Sequence, residues 1–112
     1  MALQQIIDVT DSFNANSGVV IDMGNYDYAI VQVKTPSSAI SFTSTNISGN
    51  PSTSQNATDF TAVQGTILAT GTAATSINAN GMVRFSYIGQ FLKLSGTTVT
   101  VANLVIRLFK LS

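Results

Sequence analysis

The sequence predicts an all-β protein, a jelly-roll-like antiparallel sandwich of roughly 8 to 10 short strands in a single domain over residues 1–112. Three observations lead to this prediction. Apolar and polar residues alternate with a period of two along most of the chain, which is the spacing of a half-buried strand. These segments are rich in Val, Ile, Phe, Tyr and Thr, and turn-forming residues separate them at short intervals. Helical periodicity is hard to find.

The composition excludes several kinds of chemistry. The chain has no His and no Cys, so it cannot form imidazole general bases, thiol nucleophiles, disulfides or Cys–His zinc sites. Its net charge is zero, whereas nucleic-acid binding needs a basic surface. We therefore expect no enzymatic activity, no cofactor and no nucleic-acid partner. Uncharged polar residues are abundant instead, which suits a structural or binding protein.

The first residues, 1–11, lack the basic region and the long apolar segment of a signal peptide. No window reaches the roughly 20 apolar residues that a membrane span requires. The sequence therefore predicts synthesis in the cytoplasm and no membrane partner.

The strands follow from the alternation and the turn residues between them. In chain order they are predicted at Leu3–Val9, Gly18–Met23, Tyr26–Lys34, Ala39–Thr43, Val63–Thr70, Thr75–Asn78, Met82–Ile88, Phe91–Leu94, Thr98–Val101 and Leu104–Leu111. The pair Asn80-Gly81 joins two alternating segments and predicts a β-hairpin, because a type I′ turn needs positive φ at both central residues.

The last predicted strand, Leu104–Leu111, has apolar residues on both faces. It is therefore either central in the sandwich or covered on its outer side by a neighbouring subunit. With the apolar N-terminal segment, it gives the contact residues that we expect for assembly. These are Leu3, Ile6, Ile7, Val105, Phe109 and Leu111.

A long polar segment, 44–58, interrupts the strand pattern and is predicted to be a loop with one bulky apolar residue, Ile47. Tyr26 and Tyr28 lie on one face of the predicted strand Tyr26–Lys34, together with Ile30. Paired tyrosines can form a stacking platform for sugar rings or bases, although such pairs more often belong to a core or a subunit contact.

Two pairs of carboxylates are candidate sites. Asp8 and Asp11 could bind calcium, but the oxygen-rich loop spacing of a calcium site is absent, which favours a strand end followed by a turn. Asp22 and Asp27 could act in glycoside hydrolysis, but nothing in the sequence sets their separation, which favours a polar hairpin turn. The sequence therefore predicts no catalytic and no metal-binding residues.

Charge is sorted along the chain. Four acids lie in the first quarter (Asp8, Asp11, Asp22, Asp27) and four cations in the last (Arg84, Lys93, Arg107, Lys110). One interpretation is that the terminal strands pair and neutralise each other. The other is a head-to-tail contact between copies, which builds rings.

Two segments, 39–66 and 77–95, resemble a known layout. A strand and a polar loop are followed by Asp59-Phe60-Thr61, then by the Asn80-Gly81 turn and the Phe91–Leu94 strand. This layout is similar to that of small jelly-roll virion proteins of tailed bacteriophages, of the head decoration or cement type.

The resemblance implies a non-enzymatic virion protein, made in the host cytoplasm, that binds the major capsid protein or other virion proteins as well as sister copies. It also implies a homo-oligomer, with a trimer as the first expectation. Carbohydrate-binding jelly rolls share the layout, so the alternative is a glycan- or receptor-binding β-domain of a tail or fibre protein. Its site would be Tyr26, Tyr28 and the loop 44–58.

Overall fold

The computed structural model describes residues 3–24, 26–46, 60–86 and 88–111, which form two packed antiparallel sheets and one short helix. In chain order the elements are β1 (Leu3–Asp8), α1 (Thr10–Asn16), β2 (Gly18–Asp22), β3 (Tyr28–Lys34), β4 (Ile40–Thr45), β5 (Thr61–Ala62), β6 (Gly65–Ile67), β7 (Thr72–Ala74), β8 (Ser76–Ile77), β9 (Gly81–Ser86), β10 (Phe91–Ser95) and β11 (Asn103–Lys110). Sheet A has the order β1-β11-β3-β9-β6-β7, and sheet B has the order β2-β10-β4-β5, with β8 also pairing with β4. The predicted all-β sandwich is thus confirmed.

The path of the chain follows a jelly-roll winding. Strands β1 to β4 alternate between the two sheets, and strands β8 to β11 do the same. The first and last strands, β1 and β11, are neighbours in sheet A. The strands β5, β6 and β7 are additions between the two alternating halves. Eight strands wound in this way between two sheets form the jelly-roll arrangement.

The core lies between the sheets and is built from the inward residues of each strand. In β3 these are Ala29, Val31 and Val33, and β11 contributes Leu104, Ile106 and Leu108. Phe42 of sheet B meets Phe85 of sheet A edge to face, with ring centroids 4.9 Å apart. Close packing reaches the backbone at Gly65, where an added Cβ would lie 2.4 Å from the Val83 side chain.

The helix α1 is absent from the sequence prediction, which has a turn around Asp11. Its anchor is Phe13, which is fully buried, and the helix ends at Ser17 in the left-handed conformation, with φ of 52°. The Thr10 hydroxyl donates to the Asp8 carboxylate at 2.7 Å and accepts the Leu104 N–H at 2.9 Å. A helix of seven residues, about two turns, with one buried apolar residue leaves no periodicity that the sequence could reveal.

The predicted strand Thr98–Val101 is wrong, and α1 supplies the reason. The Asn14 side chain accepts the Val101 N–H and donates to the Val101 carbonyl, and Ser17 Oγ makes the same two bonds with Val99. The side chains of Asn14 and Ser17 therefore take the place of a neighbouring strand as hydrogen-bond partners of this backbone. Val99 and Val101 are buried, which explains the strand-like apolar pattern.

The hairpin predicted at Asn80-Gly81 is also wrong. The strands on either side, β8 and β9, lie in different sheets. Among the described glycines, positive φ occurs at Gly71, with φ of 71°, and not at Gly81. The Asn80 carboxamide oxygen instead accepts the Thr35 N–H, and Thr35 itself has φ of 54°. The Asn-Gly pair thus belongs to a connection between the sheets.

Two other predicted boundaries change. The strand predicted at Val63–Thr70 is limited to β6, because the Gly71 N–H donates to the Ile67 carbonyl in a tight turn. In the predicted loop 44–58, Ser44 and Thr45 belong to β4, and residues 47–58 lie outside the described residues. The predicted hairpin between Asp22 and Asp27 is also wrong, because that loop crosses from sheet B to sheet A.

Candidate functional site

The outer face of sheet A is rich in apolar side chains and is not covered by other parts of the described chain. We define the sheet A face as the outward side chains of its four longest strands together with Leu68 beside them. They are Gln4, Ile6, Asp8, Tyr28, Ile30, Gln32, Lys34, Leu68, Met82, Arg84, Ser86, Asn103, Val105, Arg107 and Phe109. Ile6 is 58% exposed, and Leu68 and Met82 are each 41% exposed. These three are among the few large apolar side chains that the described protein leaves open to water.

Two arginines lie in the middle of the sheet A face. The register places Arg107 beside Ile30 on one side, and Arg84 beside Ile30 on the other. Two strand spacings separate the arginines, about 10 Å between their backbones. In the described part of the chain neither guanidinium forms a salt bridge. Arg107 has only a weak contact with Phe109, whose ring centroid lies 6.0 Å from the guanidinium carbon.

Two aromatic rings stack at one end of the sheet A face. Tyr28 and Phe109 are direct neighbours on β3 and β11, with ring centroids 4.6 Å apart and ring planes within 8° of parallel. Tyr26 lies before β3, packs against the core and donates from its hydroxyl to Gln5 Oε1 at 2.8 Å. Only one of the two predicted platform tyrosines therefore stands on the strand face.

Both tyrosines nevertheless border one open depression of 890 Å³ on this side of the sandwich. Its lining is a mixture of aromatic, aliphatic and charged side chains: Tyr26, Asp27, Tyr28, Ile30, Leu68, Arg84, Ser86, Ile88 and Leu111. A smaller, mainly apolar hollow of 210 Å³ lies nearer the β1 edge and is bordered by Ile6, Met82 and Val105 among others. The face is therefore grooved rather than flat.

A polar surface lies at the end of the sandwich where β2 leads into β3. We define the acidic end as Asp22, Asp27 and the neighbouring residues Asn46 and Gln90, which border a depression of 420 Å³. Asp22 Oδ1 accepts the Gly24 N–H at 2.8 Å, and Asp27 Oδ2 accepts the Leu111 N–H at 2.5 Å. The other carboxylate oxygens make no hydrogen bond with described residues, so both acids keep an acceptor for an outside donor.

The described residues contain no cluster of three or more potential metal ligands. No helix among them is long and apolar enough to cross a bilayer.

The structure brings together three of the predicted contact residues. Ile6, Val105 and Phe109 lie on the sheet A face. Leu111 is 62% exposed near the acidic end, whereas Ile7 points inward and packs against the core. Leu3 pairs through its backbone with Lys110, and its side chain lies outside what the structure describes.

Four further residues of this surface were not predicted from the sequence: Ile30, Leu68, Met82 and Arg84. The alternation within β9 already placed Met82 and Arg84 opposite Val83 and Phe85. The missing information was the strand order, which sets β9 two strands away from β11. The terminal strands do pair, as one interpretation of the charges required, but the described part of the chain forms no salt bridge between them.

Comparison with known proteins gives a match in fold. No protein-family model and no curated protein matches the chain. A solved structure titled as the SPBc2 prophage-derived protein YomS aligns with a TM-score of 0.67 and 16% identity, over 100% of this chain and 96% of that one. The two chains therefore share one fold from end to end.

Proposed function

We propose that this chain is a non-enzymatic structural protein of a bacteriophage virion, specifically a capsid auxiliary protein of the decoration or cement type. The observation that supports this proposal is the fold match with a prophage-derived protein, which extends over nearly the full length of both chains. Such complete coverage means that the shared unit is the whole chain and not a common subdomain. The phage origin of the neighbour gives the setting by analogy.

The sheet A face supports a role in surface adhesion. Full burial of an exposed aliphatic side chain stabilises a contact by about 1.5–3 kcal/mol. Ile6, Leu68 and Met82 are thus positioned to contribute to binding while adding little to the fold of the isolated chain. Many copies that each make a modest contact can bind a repeating shell tightly.

The experiment is quantitative mass spectrometry of particles purified from cells that carry the gene, after heads and tails are separated. We expect the chain in the head fraction, at a copy number that is a simple multiple of the shell symmetry. Its absence from purified particles, with abundance in the surrounding lysate, would overturn the proposal.

The large depression favours a second candidate, a glycan- or receptor-binding β-domain of a tail or fibre. Tyr28 and Arg84 on its wall could stack on a sugar ring and donate hydrogen bonds to it. A glycan array probed with wild type and with Tyr28→Ala tests it, because the tyrosine should be required for any retained sugar. Recovery in the tail fraction would favour this candidate over the first.

A further inference from the structure

The sheet A face and the rest of the described residues carry opposite net charge. The face has three cations, Lys34, Arg84 and Arg107, and one carboxylate, Asp8. Outside the face, the described residues include three acids, Asp11, Asp22 and Asp27, and two cations, Lys93 and Lys110. The face therefore has an excess of two positive charges, and the rest of the described chain has an excess of one negative charge.

The single carboxylate on the sheet A face, Asp8, is engaged through one of its two oxygens. Asp8 Oδ1 accepts hydrogen bonds from the Thr10 N–H at 3.0 Å and from the Thr10 hydroxyl at 2.7 Å. It therefore holds the start of α1 and does not pair with Arg107, which lies one strand away. Both arginines remain available to a carboxylate from outside the chain.

This charge distribution disfavours a symmetric contact between two copies of the same face. A two-fold axis through the middle of the face would bring Arg84 and Arg107 of one copy against those of the other. Like charges placed together in a contact cost several kcal/mol in free energy and oppose association. A heterologous contact, in which different surfaces meet, removes the repulsion and pairs opposite charges.

We propose that the sheet A face of one copy binds the acidic end of a second copy of this chain. Arg84 and Arg107 would donate to the oxygens of Asp22 and Asp27 that make no hydrogen bond with described residues, and Leu111, 62% exposed at the border of the large depression, would be covered by the contact. Two cations lie near the acidic end. They are Lys110, which precedes Leu111 in the sequence, and Arg84, which borders the same depression as Asp27, and neither forms an ion pair with described residues. The inference rests on the proposed function for its setting, because a virion protein acts in many copies.

The size of the surface fits a weak contact. The four longest strands of sheet A lie about 4.8 Å apart and are each some 20 Å long, which gives a face on the order of 400 Å². A contact that covers this area on each partner buries roughly 800 Å², which is in the range of weak, transient interfaces. The association should therefore be weak and sensitive to salt.

A heterologous contact forms a ring of at least three members when its rotation closes and an open filament when it does not. The face of a sandwich and the end of its strands are roughly perpendicular, so each contact would turn the next copy by about a right angle, which favours a small closed ring. The expected assembly is a ring of three or four copies.

The test is the absolute mass in solution, by light scattering after size exclusion at about 50 mM salt, where exposed charges are weakly screened. Wild type should have three or four times the 11.7 kDa chain mass. The double variant Arg84→Glu, Arg107→Glu should weaken association on the order of 100-fold and elute as a monomer. Adding Asp22→Lys and Asp27→Lys to it should restore the ring, because every contact again joins opposite charges.

The control for the two Asp→Lys substitutions is Asp11→Lys in wild type, which makes the same substitution on α1, outside both surfaces as defined. It should leave the mass unchanged. Circular dichroism melting shows whether each variant folds. If the glutamate variant does not fold, the double variant Arg84→Gln, Arg107→Gln replaces it. This variant should associate more weakly than wild type. A monomeric wild type, a dimer, or a ring that survives the arginine replacements would overturn the inference.

These results are separable from those of the proposed function. A ring-forming chain that is absent from purified particles would overturn the virion role and leave the ring in place. A monomeric chain that is present in purified heads would overturn the ring and leave the virion role in place.

Discussion

Lys93 in sheet B and Arg107 in sheet A are both basic residues on the outer side of a long inner strand, yet their surroundings differ. Lys93 is only 8% exposed, and its ammonium lies 5.3 Å from the ring centroid of Phe60. Arg107 is exposed, between Ile6 and Ile30. One face of the sandwich is therefore covered over its central strand, and the other is open.

The difference between the two faces separates what holds the fold from what is available to a partner. A side chain covered by its own chain contributes to folding, because its apolar atoms leave water when the protein folds. An exposed apolar side chain gains nothing at that step and can contribute only when a partner covers it. We therefore expect substitutions to lower stability on the inner faces and on the outer side of β10, and to lower association on the sheet A face.

The largest effect is expected from Phe85→Ala, which opens a cavity in the core that both sheets share. Phe85 is fully buried and contacts Phe42, so its loss should cost about 3–5 kcal/mol in the free energy of unfolding. The matched variant is Phe109→Ala on the sheet A face, which loses one stacked pair and should cost about 1 kcal/mol. Urea denaturation measures both, and equal losses would contradict the division into a core and an open face.

An intermediate effect is expected from replacing the two cations by alanine. Lys93→Ala should cost about 1–2 kcal/mol, because it removes a buried aliphatic stem and a cation–π contact. Arg107→Ala should change stability by no more than about 0.5 kcal/mol, as exposed substitutions usually do. Thermal melting of both variants measures this difference in stability. A larger loss at Arg107 would show that the sheet A face is not as open as the structure has it.

A smaller effect on folding is expected from Ile6→Ser. Since Ile6 is 58% exposed on an edge strand, the free energy of unfolding should change by less than about 0.5 kcal/mol. The same substitution should lower the mass measured by light scattering at a fixed concentration, because it removes apolar area from the contact. Gln4→Ser on the same strand is the polar control. Unchanged association with Ile6→Ser would remove this residue from the proposed surface.

The inward and outward positions of the long strands could be predicted from the sequence, because a period of two is a local signal. The alternation of Val83 and Phe85 with Met82 and Arg84 is an example. The helix α1 and the segment 99–101 could not be predicted, because their stability depends on hydrogen bonds across more than eighty residues, such as those from Asn14 to Val101. The prediction of a hairpin at Asn80-Gly81 was wrong for a related reason, because the Asn80 side chain forms a hydrogen bond with the distant residue Thr35.

The candidate site was predicted in part. Ile6, Val105 and Phe109 were named from the apolar pattern at the two termini, and the pairing of β1 with β11 places them together. Arg84 and Ile30 joined them only through the strand order of sheet A, which no local pattern encodes. Pairing between distant segments was thus the missing information in the fold and in the site alike.

The smallest effect is expected from Asp8→Asn, and it is an effect of pH. The Thr10 hydroxyl, and then the Thr10 backbone N–H, hold the pKa of Asp8 below its ordinary value of 3.8, because both bonds favour the charged carboxylate. A carboxylate with a lowered pKa in the folded state adds stability above its unfolded pKa, and that stability is lost as the pH falls through the folded value. In wild type a part of the decrease in melting temperature between about pH 5 and pH 2 should therefore come from Asp8. Asp8→Asn should remove that part, while Asp11→Asn, as the control, should retain it. An Asp8→Asn melting curve with the full wild-type dependence on pH would show that Thr10 does not hold this carboxylate, and Asp8 would then be free to pair with Arg107 on the same face.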